Sequence, residues 1–339
     1  MTLFTLAVAL CMQQSTPAGA PTATPPAEAK PPAAPALEAK WPRKDGEAGE
    51  DIPGIVKKGT PIYKWSEGHN FTEGPACAPD GTVYFVDIPA NEILRLDPMG
   101  AKSISTKSNG TFGLYLAKDG TLYGAQANPG AITKVDPASG SITVVCDKRA
   151  EAHEKTGTAL GRLNDLVVDD DGGIWFTAPV LGRRREGAPP DAVYFVGKGA
   201  SEAVEVVSDA KLRGPNGINL SADGKTLYVV PYLSLTIMAY PIEGPGKLGA
   251  GREFYKIPPG TRETIGGDGL AVDDKGNLYV AVPPRAAIFV ISPEGKALGQ
   301  IRFPERTSNC ALGGKDGKTL FVTATSGVYA IDIENKRAR

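Results

Sequence analysis

Residues 216–224 read NGINLSADG: a turn dipeptide, a short apolar run and a second turn closing on Gly224. Read backward from each Gly-closed turn, the same nine-residue unit occurs six times without a gap. The copies are EGPACAPDG from Glu73, FGLYLAKDG from Phe112, NDLVVDDDG from Asn164, NGINLSADG from Asn216, DGLAVDDKG from Asp268 and NCALGGKDG from Asn309. A β-rich run follows each copy (TVYFVD, TLYGAQ, GIWFTA, KTLYVV, NLYVAV, KTLFVT), and a second strand-like segment follows each run. Asp-Gly between apolar runs signals a hairpin, because the turn needs positive φ. The flanking residues are β-branched and aromatic, which suits a half-buried pleated surface. Helical periodicity is almost absent. Each unit therefore reads as an antiparallel sheet of about four strands at a repeat of roughly 40–50 residues, the size of a propeller blade. A β-helix repeat is much shorter, and a β-sandwich rarely shows six copies in register. The expected fold is all-β, a six-bladed β-propeller over residues 41–339. PIYKW around Tyr63 precedes the first copy and is expected to pair in the last blade, closing the wheel.

The amino-terminal residues are of another kind. Residues 1–20 begin with MTLFTLAVALCMQQS and end in Ala18-Gly19-Ala20, a pattern that fits an export signal, although no Lys or Arg precedes the apolar run. Residues 21–40 are rich in Pro and Ala, too poor in apolar surface to offset chain entropy, and read as a disordered linker. An exported protein, periplasmic or extracellular, is expected. The net charge of −1 leaves no basic patch for nucleic acid, and no run is long enough to span a membrane. The four cysteines form no CxxC pair and there are two histidines, which argues against a zinc motif and against Ser-His or Cys-His catalysis. Cys77 and Cys310 occupy near-equivalent places in neighbouring blades, but no disulfide is expected between them.

The leading residues of the six copies are Glu73, Phe112, Asn164, Asn216, Asp268 and Asn309. Equivalent positions in successive blades form a ring about the axis. If these residues start the inner strands, carboxylate and amide oxygens converge on the channel mouth. Such a set, without sulfur or imidazole, suits one hard divalent cation: Ca2+ first, with Mg2+, Mn2+ and Zn2+ as alternatives. Glu73, Asn164, Asn216 and Asp268 are the expected ligands. Taken singly, each also reads as an ordinary turn or loop residue. Asn309 is a possible channel-lining residue, and Phe112 an apolar wall. Arg162, two residues before Asn164, is a candidate substrate contact or a solvated loop arginine. Arg183–Arg185 read as a solvated charge run.

The segments FTEGPACAPDGTVYFVDI, GRLNDLVVDDDGGIWFT, GPNGINLSADGKTLYVV, GGDGLAVDDKGNLYVA and SNCALGGKDGKTLFVT, in this order and spacing, resemble the SMP-30/gluconolactonase/LRE-like family. The resemblance implies a six-bladed propeller with one catalytic divalent ion in its channel. It implies Glu73, Asn164, Asn216 and Asp268 as the metal set, Asp268 also as general base or nucleophile, and Arg162 as a substrate contact. The implied activity is hydrolysis of a sugar lactone by a monomer or weak dimer acting on a small molecule. The alternatives are a phosphotriesterase or aryl-esterase on the same site, and a non-catalytic propeller that binds a sugar or a partner. Thr177-Ala178-Pro179 stands where many relatives read T-D-P, and the second copy, SNGTFGLYL, is irregular. Both departures bear on which substrate is taken.

Overall fold

The computed structural model describes residues 42–97, 100–105, 107–150, 158–180, 191–208, 212–259 and 265–338. The expected export signal, the linker and Arg183–Arg185 lie outside the described residues. The described chain forms six sheets built mainly of antiparallel hairpins in chain order, except that in blade 3 Lys148–Arg149 adds parallel to the outer strand and in blade 6 two amino-terminal strands add to the edge. Blade 1 contains Thr72–Cys77, Val83–Asp87, Glu92–Asp97 and Gly100–Ser105, and blade 2 runs from Thr111–Leu116 to Ile142–Cys146. Blades 3, 4 and 5 begin with Leu166–Val168, Pro215–Leu220 and Leu270–Val272, and blade 6 begins with Thr307–Gly313. The first strands of successive blades pack against one another all the way round, blade 6 against blade 1 included, so the wheel is closed and these strands line its axis. Among the described residues no helix is long and apolar enough to cross a membrane.

The repeated turn behaves as its composition requires. Gly81, Gly120, Gly172, Gly224, Gly276 and Gly317 all lie at φ between 71° and 92°. In blade 1 the Gly81 N–H donates to Ala78 O, and Asp80 Oδ1 accepts from Thr82 N at 2.9 Å, so the aspartate secures the turn while the glycine supplies the left-handed residue. The core consists of seams between blades. Along one strand of blade 1, Val83 and Phe85 face Phe321 and Val328 of blade 6, whereas Val86 faces Leu114 and Leu122 of blade 2. Strands sandwiched between neighbours bury both faces, which is why they read as nearly continuous apolar runs rather than alternating ones.

Closure follows the expectation for Tyr63. Pro61–Glu67 pairs with Gly327–Asp332, with Ile62 opposite Ile331 and Tyr63 opposite Ala330. A further strand, Arg43–Glu47, adds to its outer edge, and Ile52, Ile55 and Val56 seal the seam between blades 5 and 6. Cys77 and Cys310 are buried free thiols. Burial pushes the Cys77 thiol up to about 12, so it is inert packing material at neutral pH.

Candidate active site

One local device recurs where each inner strand begins. In blade 1 the pairing is regular at Glu73 and resumes at Ala76 with a shifted register, and the same break separates Thr111 from Gly113, Pro215 from Ile218 and Thr307 from Asn309. In blade 3 the Asn164 N–H donates to Thr177 O while the Thr177 N–H donates to Asp165 O, so two residues face one. Blade 5 repeats this: Asp268 and Gly269 both bond to Ala281. All six inner strands thus carry a β-bulge at the leading position, and a bulge turns a side chain out of the sheet plane. Side chains that would otherwise point into a seam are aimed at the axis.

Glycine beside the bulge lets the blades close on one another. A Cβ on Gly269 would lie 1.8 Å from Asn309 Oδ1, and one on Gly74, at φ +53°, would lie 2.3 Å from Phe112 O. Gly269→Ala is therefore expected to destabilise the protein by about 2–3 kcal/mol, because the buried Asn309 has nowhere to retreat. Equilibrium denaturation checks this, and wild-type stability would mean that the two blades do not approach so closely.

Glu73, Asn164, Asn216 and Asp268 are each buried at these bulges, and Glu73 and the Asn216 side chain both act on Asp268. A fifth polar group, Asn309, bridges them, and a sixth, Asp165, joins from blade 3. Asn309 Nδ2 donates to Glu73 Oε2 at 3.1 Å and the same amide also bonds to Asp165, while the Cys310 N–H holds its Oδ1 at 2.8 Å. Glu73 Oε2 also accepts from Gly74 N at 2.7 Å, and Asp165 Oδ1 from Leu166 N at 2.9 Å. The Asn216 side chain bonds to Asp268, and Asn216 O accepts from Thr177 Oγ1 at 2.7 Å. Thr177, from the departure at residues 177–179, thus supports the ring through its hydroxyl.

Three carboxyl groups so close are electrostatically uncomfortable. Burial pushes Glu73 up to about 8, with the Asp165 charge adding to the rise. Burial likewise lifts Asp165 to about 7 against the pull of its hydrogen-bond donors. Asp268 is driven well above the usual carboxylate range by burial and then by Glu73 and Asp165, with Arg306 opposing. Among the described residues no three His, Cys, Asp or Glu side chains gather closely enough to hold an ion by themselves. An axial ion would need the amide oxygens of Asn164 and Asn216 as well. The donor set fits one: it is all oxygen, it is buried, and it carries excess negative charge that a hard cation would neutralise.

Around this ring stand the groups that a bound molecule would meet. The Arg162 guanidinium lies 6.0 Å over the ring centroid of Phe112, the leading residue of blade 2. Tyr232 and Arg306 act electrostatically on Asp268 and were not singled out from the sequence. Nor was Asp165, whose signal was its replacement of the glycine that follows the leading residue in blades 1, 2, 4 and 5. At the other end of the channel Arg337 donates to Cys77 O at 2.8 Å and Leu116 O at 3.2 Å, so the carboxy-terminal segment crosses that end. Between them lies a cavity of about 60 Å³, lined in part by Leu114, Asp165, Ile218, Leu270 and Asn309.

Fold and site together define a six-bladed propeller with a polar, oxygen-rich axial centre reached among bulged inner strands. Residues 71–326 match the SMP-30/Gluconolactonase/LRE-like region, and the chain belongs to that family. It is 28% identical over 304 residues to a gluconolactonase of Zymomonas mobilis, covering 82% of each chain. It is 30% identical over 280 residues to the diisopropyl-fluorophosphatase of Loligo vulgaris, covering 74% of this chain and 84% of that one. Among solved structures it is similar to a calcium-binding protein, regucalcin, from Agrobacterium tumefaciens, with a TM-score of 0.64, 20% identity and coverage of 79% and 92%.

Proposed function

We propose that this chain is a hydrolase of the lactonase type, which opens a sugar lactone of the gluconolactone kind at the axial centre with the help of one divalent cation. The meeting of buried Glu73 and Asp268 with the Asn216 amide carries this reading, with buried Asn164 at the equivalent bulge of blade 3. Family membership and the gluconolactonase relative support the reaction class. Calcium is the first candidate ion, on the chemistry of the donors and the calcium-binding neighbour. Glu73, Asn164, Asn216 and Asp268 would hold the ion, which would supply Lewis-acid polarisation of the lactone carbonyl.

The chain's own groups do the rest. An Asp268 carboxylate oxygen takes a proton from the attacking water, and its basicity is raised by burial and by Glu73. Asn216, through a hydrogen bond, and Arg306, through its charge, limit that rise. Asn164 and Arg162 meet the sugar hydroxyls from blade 3, and Phe112 gives the mouth an apolar wall. Asn309 ties Glu73 to Asp165, so the two acids cannot swing apart.

Removing divalent ions with excess EDTA should abolish turnover of glucono-1,5-lactone, and readdition of Ca2+ should restore it. Full activity in the chelator would remove the metal from the reading. The diisopropyl-fluorophosphatase relative supports a second reading, phosphotriester or aryl-ester hydrolysis by the same centre. A metal-loaded preparation that turns over those esters but no lactone would favour it. Ligand binding without turnover of any of them would indicate a binding propeller instead.

A further inference from the structure

We propose that residues 335–338 stopper the far end of the axial channel, with Arg337 as the plug, so that the ring is reached from one mouth only and a cation held there cannot leave through the hub. The closure stands on the hydrogen bonds of this segment; the retention of a cation rests on the metal reading of the ring.

The segment is tied to four consecutive blades, 5, 6, 1 and 2, at the end of the wheel remote from the leading residues. On blade 5 the Asn335 side-chain amide donates to Asp273 Oδ2 at 2.8 Å, the Asp274 N–H to Lys336 O at 2.8 Å and the Ala338 N–H to Val272 O at 3.3 Å. Asp273 is fully buried and also accepts from the Asn277 amide and the Tyr279 hydroxyl, so this anchor is firm. On blade 6 the Arg337 N–H donates to O of Gly317, the turn glycine, at 2.9 Å. The Arg337 side chain then spans the junction where the last blade meets the first. Its Nη1 donates to Cys77 O at 2.8 Å and its Nη2 to Leu116 O at 3.2 Å, and the group lies 6.0 Å over the Tyr115 ring centroid. Cys77 and Leu116 are the last residues of the inner strands of blades 1 and 2. A guanidinium suits this task, since it offers several donors in a rigid plane and stays charged at any working pH.

What the segment closes is the cavity of about 60 Å³ behind the ring. Every blade contributes to its wall, from Ala76 in blade 1 to Leu312 in blade 6; Asp165 and Asn309 border it, and Arg337 and Ala338 complete it. A water needs roughly 10–15 Å³, so the chamber has room for water. Without the stopper that water would be continuous with solvent, and the ring would be wetted from behind. A fixed positive charge across the exit also opposes the passage of a cation, as a pore-lining arginine does in a channel.

The test labels the thiols of the full chain with methylmercury chloride. Cys77 and Cys310 line the chamber, whereas Cys146 is buried in the outermost strand of blade 2, away from the axis. All three should react slowly in the native protein. Arg337→Ala removes the plug and two charge-assisted bonds, so Cys77 and Cys310 should react about tenfold faster or more, with Cys146 unchanged, as read by peptide mass spectrometry. Arg337→Met, which keeps the bulk but not the bonds, gives the same readout at smaller amplitude should the alanine protein fail to fold. Unchanged rates at Cys77 and Cys310 would overturn the closure. So would an equal rise at all three thiols, which would mean a loosened fold. Release of Ca2+ into excess chelator, followed by stopped flow, should also be about tenfold faster in Arg337→Ala, and unchanged release would overturn the retention. If the protein binds no Ca2+, the metal reading of the ring falls by itself, and the labelling still decides the closure.

Discussion

Asp268→Asn protein should fold, melt in chelator no lower than the native chain, and lose lactone turnover by at least about 10³-fold. The substitution preserves volume at a fully enclosed position, so the bulge at residues 268–269 and its bonds to Ala281 have no reason to change. It removes one of three carboxyl groups whose mutual repulsion and burial raise one another's proton affinity. In the metal-free protein that should relieve strain rather than create it. The same change removes the proposed proton acceptor and a charged ligand, so Ca2+ affinity measured by calorimetry should drop along with turnover. Glu73→Gln should share the loss of affinity. An Asp268→Asn protein with near-native kcat/KM would show that this carboxylate takes no part in the chemistry.

The second large effect is on stability against pH. Glu73 and Asp165 hold protons more tightly in the folded protein, at about 8 and about 7, than their ordinary values of 4.5 and 3.8. The folded state therefore binds more protons than the unfolded chain between those limits, and stability falls as pH rises. In chelator the stabilisation from these groups should be fullest below about pH 4, and the melting temperature should fall by on the order of 10 °C from there to pH 8. Excess Ca2+ should cancel most of that fall, since the ion favours the ionised carboxylates that the empty ring resists. Differential scanning calorimetry with and without Ca2+ checks both arms. A melting temperature that rises towards pH 8 in chelator would contradict the burial of these acids at a common axial point.

Much of this was legible in residues 71–324. The six nine-residue copies carried the blade count, because a hairpin turn with a left-handed glycine is a local requirement that any reader of the chain can recognise. The strand around Tyr63 could be assigned to the last blade because a closed wheel needs its first and last blades joined. The leading residues Glu73, Asn164, Asn216 and Asp268 could be set in register as a ring. Their aim could not, since it depends on a bulge in each inner strand, and a bulge is a relation between two strands rather than a property of one. Asp165 was passed over for a related reason. Its chain neighbours suggest a turn, whereas its importance lies in Asn309 and Glu73, 144 and 92 residues away by their numbers. Arg306 and Tyr232 carry no motif at all, and only their electrostatic coupling to Asp268 distinguishes them.

By itself, then, the sequence determined the repeating blade, its turns and the oxygen-rich character of the leading positions, because each follows from short-range sterics and side-chain chemistry. The tertiary structure decided which oxygens meet and how three buried acids come to act on one another. Those outcomes depend on closing the circle of blades. Closure brings residues distant in the chain to within hydrogen-bond distance, where burial and charge act on all of them together.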